Sequence, residues 1–416
     1  AGLPHPPPAA RTLPMAPAPS RPRRLRSSLL GLAACAAASW PTAFLAGSGP
    51  ARLQGRLGPG SAAERAQVQR RAAVAGAPEG EEEGVAGIGR RLATGSALTL
   101  LGGLAVKRFG VDGNMDVLPL APGSLKGRTI VITGGNTGLG RESALRLAKA
   151  GATIVLTART DAKGQEAVAA IKQESANSDV HYLQLDLADL ASVNRFSEAY
   201  KKQPYGDRID VLMNNAGVMA IPERQTTKDG FEQQLGVNHL GHFALTGLLM
   251  PLLKKAKGTA RVVNLSSTAH LGATKELLEG DLMAPERYTQ WGAYCQSKLA
   301  NVLFSQELDR RFKAAGVNAT AVSCHPGGVD TDLARWLVVA KDDPAEAKRL
   351  RDENFLARNL SAFLTRDVHL GANTQIYLAA GLDGGLDKSG GKYFDNMGLG
   401  LLNPVANDQA LAARLW

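Results

Sequence analysis

The stretch of sequence that decides the fold is rich in glycine and reads Gly134-Gly135-Asn136-Thr137-Gly138-Leu139-Gly140. A β-rich run, residues 128–133, comes directly before it, and a helical pattern over residues 141–150 comes directly after it. Glycine-rich turns are common, so the glycines alone are a weak signal, but such a turn between a buried strand and a helix is a strong one. The segment therefore predicts the first strand–turn–helix unit of a dinucleotide-binding domain.

The glycines of this turn have different physical roles. Gly134 permits the tight turn, Gly138 lets the backbone approach a pyrophosphate, and Gly140 lets the helix pack against the strand. The helix N-terminus offers unpaired N–H groups and the positive end of the helix dipole to the phosphates. We therefore expect residues 134–140 to hold the diphosphate of a nucleotide cofactor.

The alternation of strands and helices continues on the C-terminal side of this turn. Short β-rich runs alternate with longer segments that carry apolar residues at helical spacing. Such alternation predicts a parallel sheet covered by helices on both faces, with right-handed crossovers that give a doubly wound topology. The sequence thus predicts an α/β protein with a single doubly wound Rossmann domain and a central parallel sheet, at residues 125–416. The predicted strands are residues 129–133, 153–157, 180–185, 211–213, 261–265 and 319–323.

The end of the second predicted strand indicates which nicotinamide dinucleotide binds. An acid at this end selects NAD, whereas an arginine accepts the extra phosphate of NADP. The strand ends in Leu156-Thr157-Ala158-Arg159-Thr160, which has an arginine and no acid. Because a guanidinium can grip a phosphate with two hydrogen bonds, Arg159 favours NADP(H) over the alternative of a solvated surface arginine. Arg141 would add positive charge, and Asp161, which could repel the phosphate, suits a helix N-cap better.

Two further strand ends carry polar or small residues. Asp186 ends the third predicted strand, where its carboxylate could accept a hydrogen bond from the adenine amino group. The fourth strand ends in Asn214-Asn215-Ala216-Gly217, whose small side chains would let the backbone lie close to the cofactor. Asp and Asn also favour turns, so turn chemistry is the alternative interpretation of both segments.

A candidate proton-transfer pair follows in Tyr294-Cys295-Gln296-Ser297-Lys298. Tyr294 and Lys298 have i, i+4 spacing and therefore share one face of a helix. A free tyrosine has a pKa of about 10, and a neighbouring ammonium lowers this pKa because it favours the phenolate. We expect the pair to act as a general acid/base, although Tyr and Lys at this spacing also occur by chance.

Together these motifs resemble the short-chain dehydrogenase/reductase family over about residues 125–400. Within that family, Gly236-Val237-Asn238-His239-Leu240-Gly241-His242-Phe243 and Ser297-Lys298-Leu299-Ala300-Asn301 are most similar to the retinol-dehydrogenase-like branch. Protochlorophyllide reductases and plastid envelope dehydrogenases share parts of the same pattern. The motifs that carry the resemblance are Thr133-Gly134 with Gly138 and Gly140, Asn214-Asn215-Ala216-Gly217, Asn238, Ser266-Ser267, Tyr294 with Lys298, and Pro326-Gly327 with Thr331.

The resemblance implies a role for each of these residues. Tyr294 would be the acid/base, and Lys298 would hold the nicotinamide ribose and lower the Tyr294 pKa. Ser267, with Ser266 as the alternative, would hydrogen-bond the substrate oxygen, and Asn238 would support a water in a proton relay. The implied cofactor contacts are Gly134, Asn136, Thr137, Gly138, Leu139, Gly140, Arg159, Asp186, Asn215, Ala216, Gly217, Tyr294, Lys298, Pro326, Gly327, Val329 and, on the nicotinamide carboxamide, Thr331.

Two segments are expected to cover the substrate. Residues 271–291 lie between Ser267 and Tyr294 and resemble an insertion of retinol-dehydrogenase-like members, so we expect a loop over the substrate. Residues 333–340 are apolar, include Trp336 and would suit a lid over an apolar molecule, with ordinary core packing as the alternative. The second segment favours a hydrophobic small-molecule substrate.

The net charge of +10 belongs mostly to the N-terminal leader. Residues 1–80 hold ten arginines, no lysine and two glutamates, so residues 81–416 are nearly neutral. Nucleic-acid binding needs a basic face on the folded domain, so this distribution argues against a protein that binds DNA or RNA. The leader is rich in Ala, Pro, Arg and Gly and lacks an amphipathic period, so we expect it to be largely disordered or removed.

The leader also has the pattern of a targeting presequence. After Met15, the expected start of translation, residues 21–26 are basic and residues 29–46 are mostly apolar, as in a signal peptide. Residues 52–71 then carry arginines with few acids, as in a transit peptide. Two such signals in series resemble the bipartite presequences of complex plastids, so we expect import into a plastid, to its stroma or a membrane. The alternative is a plain signal peptide for the endoplasmic reticulum or secretory pathway.

Residues 81–124 are expected to be a linker with one short apolar segment. That segment, residues 97–106, is too short to span a bilayer, which needs about 20 apolar residues. It suits a helix that packs on the domain or lies on a membrane surface, so peripheral membrane association stays open, as does a homo-oligomer. His239 and His242 are spaced like metal ligands, but no matching carboxylate or third histidine stands out, so no metal site is expected.

The leading hypothesis is an oxidoreductase that interconverts an alcohol and a carbonyl on a hydrophobic molecule with NADP(H). One alternative is reduction of a tetrapyrrole C=C bond, as in protochlorophyllide reductases, for which turnover would depend on light. Another is a redox-sensing or scaffold subunit at a plastid membrane that binds NADP(H) and does little chemistry. The intact set of Asn238, Ser267, Tyr294 and Lys298 argues against the scaffold.

Overall fold

The computed structural model describes residues 115–329, 365–381 and 386–416 of the chain. The predictions for the leader (1–80), for the apolar segment 97–106, for Thr331 and for the apolar segment 333–340 lie outside the described residues. The strands, in chain order, are β1 (Thr129–Ile132), β2 (Thr153–Ala158), β3 (Val180–Gln184), β4 (Val211–Asn214), β5 (Ala260–Leu265), β6 (Ala319–Cys324), β7 (Tyr393–Asp395) and β8 (Gly398–Leu399).

These strands form one sheet in the order β3-β2-β1-β4-β5-β6-β7-β8. Every pairing from β3 to β7 is parallel, and β7 and β8 pair in the antiparallel sense. All residues of β1, β4, β5 and β6 are buried, because helices cover both faces of the sheet. The predicted α/β Rossmann fold with a central parallel sheet is confirmed.

Helices connect the strands, and in the described residues none is long and apolar enough to cross a membrane. A single helical turn, Gln233–Leu235, and a π-helical turn, Gly236–Leu240, lead directly into α4. The helices are α1 (Gly138–Lys149), α2 (Asp161–Ser175), α3 (Leu190–Lys201), α4 (Gly241–Leu253), α5 (Lys275–Gly280), α6 (Gln290–Ala314), α7 (Val368–Gly371), α8 (Asn373–Ala380) and α9 (Gln409–Leu415), with 3-10 turns at Thr268–Gly272, Leu386–Lys388 and Pro404–Asn407.

Alternate residues of the central strands pack into two apolar clusters on opposite faces of the sheet. Ile130 and Ile132 of β1 belong to a cluster that includes buried residues of α1 and α8. Val131 belongs to the other cluster, with buried residues of α3, α4 and α6. Neighbouring side chains of a strand point to opposite faces, so both faces of β1 require apolar residues.

The strand order places a topological switch point between β1 and β4. The chain runs from β1 through β2 to β3 at one edge, and then returns to β4 on the other side of β1. Connections that leave the carboxyl ends of β1 and β4 therefore diverge and leave a crevice between them, where open α/β sheets bind their ligands. The turn that begins at Gly134 lies at this position.

Candidate active site

The turn between β1 and α1 depends on glycines in the left-handed region of backbone space. Gly134 has a φ of +63° and Gly138 a φ of +54°, values that residues with a side chain rarely adopt. Gly140 lies inside α1, where a Cβ would be 2.4 Å from the carbonyl oxygen of Gly134 and 2.6 Å from Nδ2 of Asn215. The start of α1 therefore packs directly against the preceding turn and the end of β4.

The N-terminus of α1 keeps its capacity to bind an anion. Its N-cap residue, Thr137, is exposed and extended, and its side chain makes no capping hydrogen bond. The first turn also contains no acid. The first backbone N–H groups of a helix have no partner within the helix, so they can donate to a phosphate here.

One arginine at the end of β2, Arg159, is available to bind a ligand. Arg159 is exposed, and in the described part of the chain its guanidinium has no hydrogen bond or ion pair. Arg141, in contrast, forms an ion pair with Glu174. The expectation that Asp161 caps α2 is wrong, because Thr160 is the N-cap and Asp161 is the first helical residue. Asp161 instead accepts a hydrogen bond from the hydroxyl of Tyr182 at 3.0 Å.

Asp186 makes the contacts of a turn residue at the end of β3. Its Oδ1 accepts the N–H of Ala188 at 3.0 Å, and its own N–H donates to Oγ of Ser192 at 3.0 Å. The side chain is half-buried. Turn chemistry thus accounts for the contacts of Asp186 within the chain.

The two asparagines at the end of β4 link strands. Nδ2 of Asn214 donates to Oδ1 of Asn264 on β5 at 2.7 Å. Asn215 donates its Nδ2 proton to the carbonyl of Thr133 at 2.8 Å and its N–H to the Thr133 hydroxyl at 2.9 Å. Gly217 follows, and a Cβ on it would lie 3.1 Å from Oδ1 of Asn238 and 3.6 Å from Nζ of Lys298. The β4 end thus reaches the predicted catalytic side chains.

Tyr294 and Lys298 lie on α6, one helical turn apart, and both side chains are buried. Nζ of Lys298 lies 5.6 Å from the centre of the Tyr294 ring and donates to the carbonyl of Leu265, at the end of β5, at 3.2 Å. Thr289 caps α6 by accepting the N–H of Gly292, so the helix begins at Gln290, four residues before the tyrosine. The helix therefore brings the phenol and the ammonium to the carboxyl edge of the sheet.

The electrostatics of this pair differ from the expectation. Burial raises the pKa of Tyr294. A side-chain hydrogen bond with Ser267 lowers the pKa, but this effect is smaller than that of burial, so the net shift is upward. Desolvation outweighs the other effects on this pKa, and the Lys298 ammonium lies beside the ring, so the lowering of the Tyr294 pKa by Lys298 stays a prediction. Burial also lowers the pKa of Lys298 to about 8. Burial therefore disfavours the charged form of both groups.

The two serines after β5 have different partners. Ser266 is buried, and its hydroxyl donates to the backbone carbonyl of Lys298 at 2.7 Å. Ser267 is half-buried, accepts the N–H of Ala269 at 3.1 Å and hydrogen-bonds the side chain of Tyr294. Of the two alternatives, Ser267 lies beside the phenol, whereas Ser266 fixes the backbone of α6.

Asn238 occupies the π-helical turn before α4, and both polar atoms of its side chain have hydrogen-bond partners. Its Oδ1 accepts the N–H of Val218 at 2.8 Å, and its Nδ2 donates to the carbonyl of Val218 at 3.0 Å and to Oγ of Ser297 at 2.9 Å. Both Nδ2 protons are used within the chain, so a water in a proton relay would have to donate to a side-chain or backbone oxygen of Asn238. The side chain joins the segment after Gly217 to α6.

The loop after β6 is held by His325, which the sequence predicts to shape it, and by Arg366 and Asp395, which the sequence analysis did not identify. The N–H of Gly327 donates to Nδ1 of His325 at 2.9 Å, and Nε2 of His325 is 3.1 Å from Asp395 on β7. Arg366 donates from Nη1 to the carbonyl of Pro326 at 3.1 Å. The guanidinium also packs closely over Gly327, since a Cβ on this glycine would be only 2.6 Å from Nη1 of Arg366. These contacts fix residues 325–329, the last of which, Val329, forms a backbone bridge with Arg366.

Gln375 on α8 is a further residue that sequence reasoning missed. Its Nε2 donates to Oγ of Ser143 on α1 at 2.7 Å and lies 3.3 Å from both the carbonyl of Leu139 and Oδ1 of Asn215. It is buried and more than 200 positions from the glycine turn in sequence. No motif could show this contact, because the fold alone brings the segments together.

The insertion at residues 271–291 is partly helical rather than only a loop. It contains α5, whose Lys275 and Glu279 form ion pairs with Asp408 and Arg414 at the C-terminal end of the chain. Trp291, at the start of α6, is 40% exposed and packs edge-on against the ring of Tyr294 at 6.1 Å. An apolar surface therefore lies beside the phenol.

Among the described residues no group of three potential metal ligands occurs. His239 and His242 are both buried, and burial lowers the pKa of each to about 4. His239 packs edge-on against Phe304 with the ring centres 5.8 Å apart. The packed-face interpretation of these histidines agrees with the structure.

Known proteins are similar to this chain in sequence and in structure. The short chain dehydrogenase family model matches residues 128–341. Retinol dehydrogenase 13 of Homo sapiens is 38% identical over 70% of this chain and 83% of its own length. Retinol dehydrogenase 12 of Homo sapiens is 40% identical over 70% of this chain and 85% of its own. A crystal structure from Mycobacterium paratuberculosis, 36% identical, covers 73% of this chain and 94% of its own, with a TM-score of 0.54.

The matched family segment spans the glycine turn, the Asn214–Gly217 motif, Asn238 and the helix that carries Tyr294 and Lys298. The relatives cover the same domain at well above 30% identity. The chain therefore belongs to the short-chain dehydrogenase/reductase family of oxidoreductases, in its retinol-dehydrogenase-like branch.

Proposed function

We propose that this protein is an NADP(H)-dependent oxidoreductase that interconverts an alcohol and a carbonyl on a hydrophobic small molecule, with Tyr294 as general acid/base. The observation that carries the proposal is the convergence of Tyr294, Ser267 and Lys298 beside Gly217. These groups meet at the carboxyl edge of the sheet, next to the switch point where dinucleotides bind.

The residues around the switch point fit a dinucleotide. At Gly140 a Cβ would collide with the Gly134 carbonyl, and at Gly217 it would be tight against Oδ1 of Asn238, so the absence of these side chains keeps α1 and the β4 end packed close to the switch point. The uncapped N-terminus of α1 suits a diphosphate. Arg159, exposed and unpaired within the described residues, suits the extra phosphate of NADP.

The side chains support acid/base chemistry at a carbonyl or hydroxyl oxygen. A bound nicotinamide would supply or accept the hydride. Ser267 and Tyr294 would donate hydrogen bonds to the substrate oxygen and stabilise the negative charge that builds there during reduction. Burial raises the Tyr294 pKa, so the phenol stays protonated at neutral pH and can give its proton to that oxygen. Lys298, beside Gly217, would hold the nicotinamide ribose.

The surroundings of Tyr294 favour an apolar substrate. Trp291 and Leu271 are 40% and 39% exposed, and both lie on segments that adjoin Tyr294 and Ser267. Water-exposed apolar side chains near a polar reaction centre suit a ligand with one reactive oxygen and a long apolar body. The similar retinol dehydrogenases 12 and 13 are named for an alcohol of this kind.

Turnover of a carbonyl panel tests this proposal. Purified protein with NADPH would be offered all-trans-retinal, decanal and glyceraldehyde, and we expect the two apolar aldehydes to be reduced with the higher kcat/KM. Tyr294→Phe removes the proton donor and should lower kcat by about 100-fold or more. Tyr205→Phe, a substitution away from the site that keeps the ring packed against His181 and Tyr200, is the control.

Other outcomes would favour the alternatives. NADPH binding without turnover across the panel, unchanged by Tyr294→Phe, would favour a scaffold or redox sensor. Turnover of protochlorophyllide only under illumination would favour the C=C reductase.

The cofactor preference has its own test. Arg159→Ala should raise KM for NADPH by about 10- to 100-fold, because a charge-assisted hydrogen bond is worth roughly 1.5–3 kcal/mol, and should leave KM for NADH nearly unchanged. Arg195→Ala, which removes another exposed arginine from α3, is the matched control. Equal losses for both cofactors would contradict the role of Arg159.

We also propose import into a plastid, on the basis of the two targeting patterns in residues 1–80. Residues 1–124 fused to a fluorescent protein should reach a plastid in an algal host. Deletion of residues 52–71 should leave the fusion in the secretory pathway. Secretion of the intact fusion would contradict this localisation.

A further inference from the structure

His242 is a buried residue of the first turn of α4 whose two ring nitrogens both have partners. Nδ1 is 3.0 Å from the backbone carbonyl oxygen of Asn238, and Nε2 is 2.8 Å from the hydroxyl of Thr133. Both partners adjoin the proposed site: Asn238 contacts the segment after Gly217, and Thr133 directly precedes Gly134. The imidazole thus bridges the end of β1 and the π-helical turn before α4.

The direction of these hydrogen bonds follows from the chemistry of the partners. A carbonyl oxygen can only accept, so Nδ1 of His242 carries the proton and donates to Asn238. Burial lowers the pKa of His242 to about 4, and the nearby Lys298 ammonium acts in the same direction, so the ring is neutral at physiological pH. Nε2 therefore has a lone pair, which accepts the hydroxyl proton of Thr133 at 2.8 Å in preference to the more distant carbonyl of Met213 at 3.4 Å.

The orientation of Thr133 matters for the end of β4. Once its proton points to His242, the oxygen of Thr133 is free to accept two backbone N–H groups, from Asn215 at 2.9 Å and from Ala216 at 3.0 Å. Asn215 and Ala216 lead into Gly217, which lies next to Lys298. One hydrogen-bonded chain therefore connects the π-helical turn, the end of β1 and the end of β4.

We propose that His242 is a positioning residue that joins the Asn238 turn to the ends of β1 and β4 and so holds the nicotinamide half of the cofactor site in register with Tyr294 and Lys298. This inference rests on the proposed oxidoreductase function. The ring is suited to the task because a neutral imidazole carries one donor and one acceptor at fixed positions on a rigid frame. An apolar side chain of similar volume would fill the space but would leave the Asn238 carbonyl and the Thr133 hydroxyl without these hydrogen bonds.

Two substitutions at this position separate positioning from packing. His242→Leu removes both hydrogen bonds, whereas His242→Gln keeps a donor and an acceptor on a more flexible side chain. His239→Leu is the matched control, because His239 is equally buried in the preceding turn but packs against Phe243 and Phe304. All three variants lose a buried imidazole, so a loss of stability alone would be common to them.

The kinetic expectation concerns both kcat and the affinity for NADPH. With NADPH and decanal, His242→Leu should lower kcat by about 10- to 100-fold, because displacements of about 1 Å can cost that much, and should raise KM for NADPH severalfold. His242→Gln should recover part of both losses, and His239→Leu should stay within about threefold of wild type. A folded His242→Leu variant with wild-type kcat and KM for NADPH would overturn the proposal.

A second measurement does not depend on turnover or on the cofactor. Nitrogen-15 NMR of the imidazole should show His242 as the neutral tautomer protonated at Nδ1. Hydrogen exchange at the Ala216 amide should become at least tenfold faster in His242→Leu than in His239→Leu, once corrected for global stability, and His242→Gln should lie between the two. Unchanged exchange at Ala216 would sink the inference, while failure of every aldehyde to react would sink only the proposed function.

Discussion

Lys298 is a buried lysine whose surroundings disfavour the charged form of its side chain. The side chain is 4% exposed, and its nitrogen donates to the carbonyl of Leu265 at 3.2 Å and lies 5.6 Å from the centre of the Tyr294 ring. Burial lowers its pKa from the usual 10.5 to about 8. Among the described residues no carboxylate pairs with this ammonium, and a buried charge of this kind costs stability, so its presence here indicates function rather than folding.

This cost predicts that Lys298→Met stabilises the protein while it abolishes turnover. At neutral pH we expect a gain on the order of 1–3 kcal/mol, seen as a rise in Tm of several degrees. Because the pKa of Lys298 is lower in the folded state, the penalty is complete below about pH 8 and disappears as the pH rises toward 10.5. The Tm difference between variant and wild type, measured from pH 6 to pH 10, should therefore shrink above pH 8. A difference that grows with pH would contradict this sign.

The sequence predicts which residues occur at the site more readily than it predicts their energetics. The i, i+4 spacing of Tyr294 and Lys298 is visible in any helix, and both lie on α6. The direction of the Tyr294 pKa was not predictable, because it depends on burial by side chains distant in sequence. The preference for Ser267 over Ser266 rested on the family resemblance, whereas the different partners of the two hydroxyls depend on the path of the backbone after β5.

At the scale of elements, two glycines inside helices can be compared, Gly140 in α1 and Gly247 in α4. Gly140 has no space for a side chain, since a Cβ would be 2.4 Å from the carbonyl oxygen of Gly134. Gly247, in the middle of α4, is exposed, and a methyl group there would meet no atom from outside its own helix within 4 Å. The two glycines share a helical backbone but differ in what surrounds them.

We therefore expect opposite results from the same substitution at these positions. Gly247→Ala should raise the free energy of unfolding by about 0.5–1 kcal/mol, because alanine is the better helix former. Gly140→Ala should lower it by roughly 1–3 kcal/mol and weaken NADPH binding, because the methyl group pushes α1 away from the turn. Chemical denaturation and NADPH titration of both variants would measure this. A Gly140→Ala variant that is as stable and binds as tightly as Gly247→Ala would refute the packing role of Gly140.

Strand prediction succeeded or failed according to the length of the strand. β1 to β6 contain four to six residues each, and their predicted bounds differ from the observed ones by one residue at one end of each strand. β7 and β8 have three and two residues and carry no recognisable pattern. β7 forms because Ser323 and Cys324 at the end of β6 supply backbone partners, which no local sequence could show.

At the scale of the whole molecule, the candidate site is assembled from segments far apart in sequence. Gln375 joins Ser143 to the end of β4, and Asp395 and Arg366 hold the loop after β6. The motifs lie at the ends of β1, β4, β5 and β6, in the turn before α4 and on α6, whereas these supporting residues come from residues 365–416. A ligand that bridges the motifs should thus stabilise the folded chain as a unit.

Binding of a cofactor to the folded state raises Tm by mass action, which makes cofactor preference measurable without a substrate. At about 100 times its Kd, NADPH should add roughly 2.7 kcal/mol and raise Tm by about 5–10 °C. NADH at the same concentration should raise it less, because it lacks the phosphate that Arg159 is proposed to bind. Arg159→Ala should make the two shifts equal while the Tm without ligand stays unchanged, since Arg159 is exposed and has no ion pair in the described part of the chain. A wild-type shift as large with NADH as with NADPH would remove the basis for assigning NADP(H), and would leave Tyr294, Ser267 and Lys298 with the same chemistry on the other cofactor.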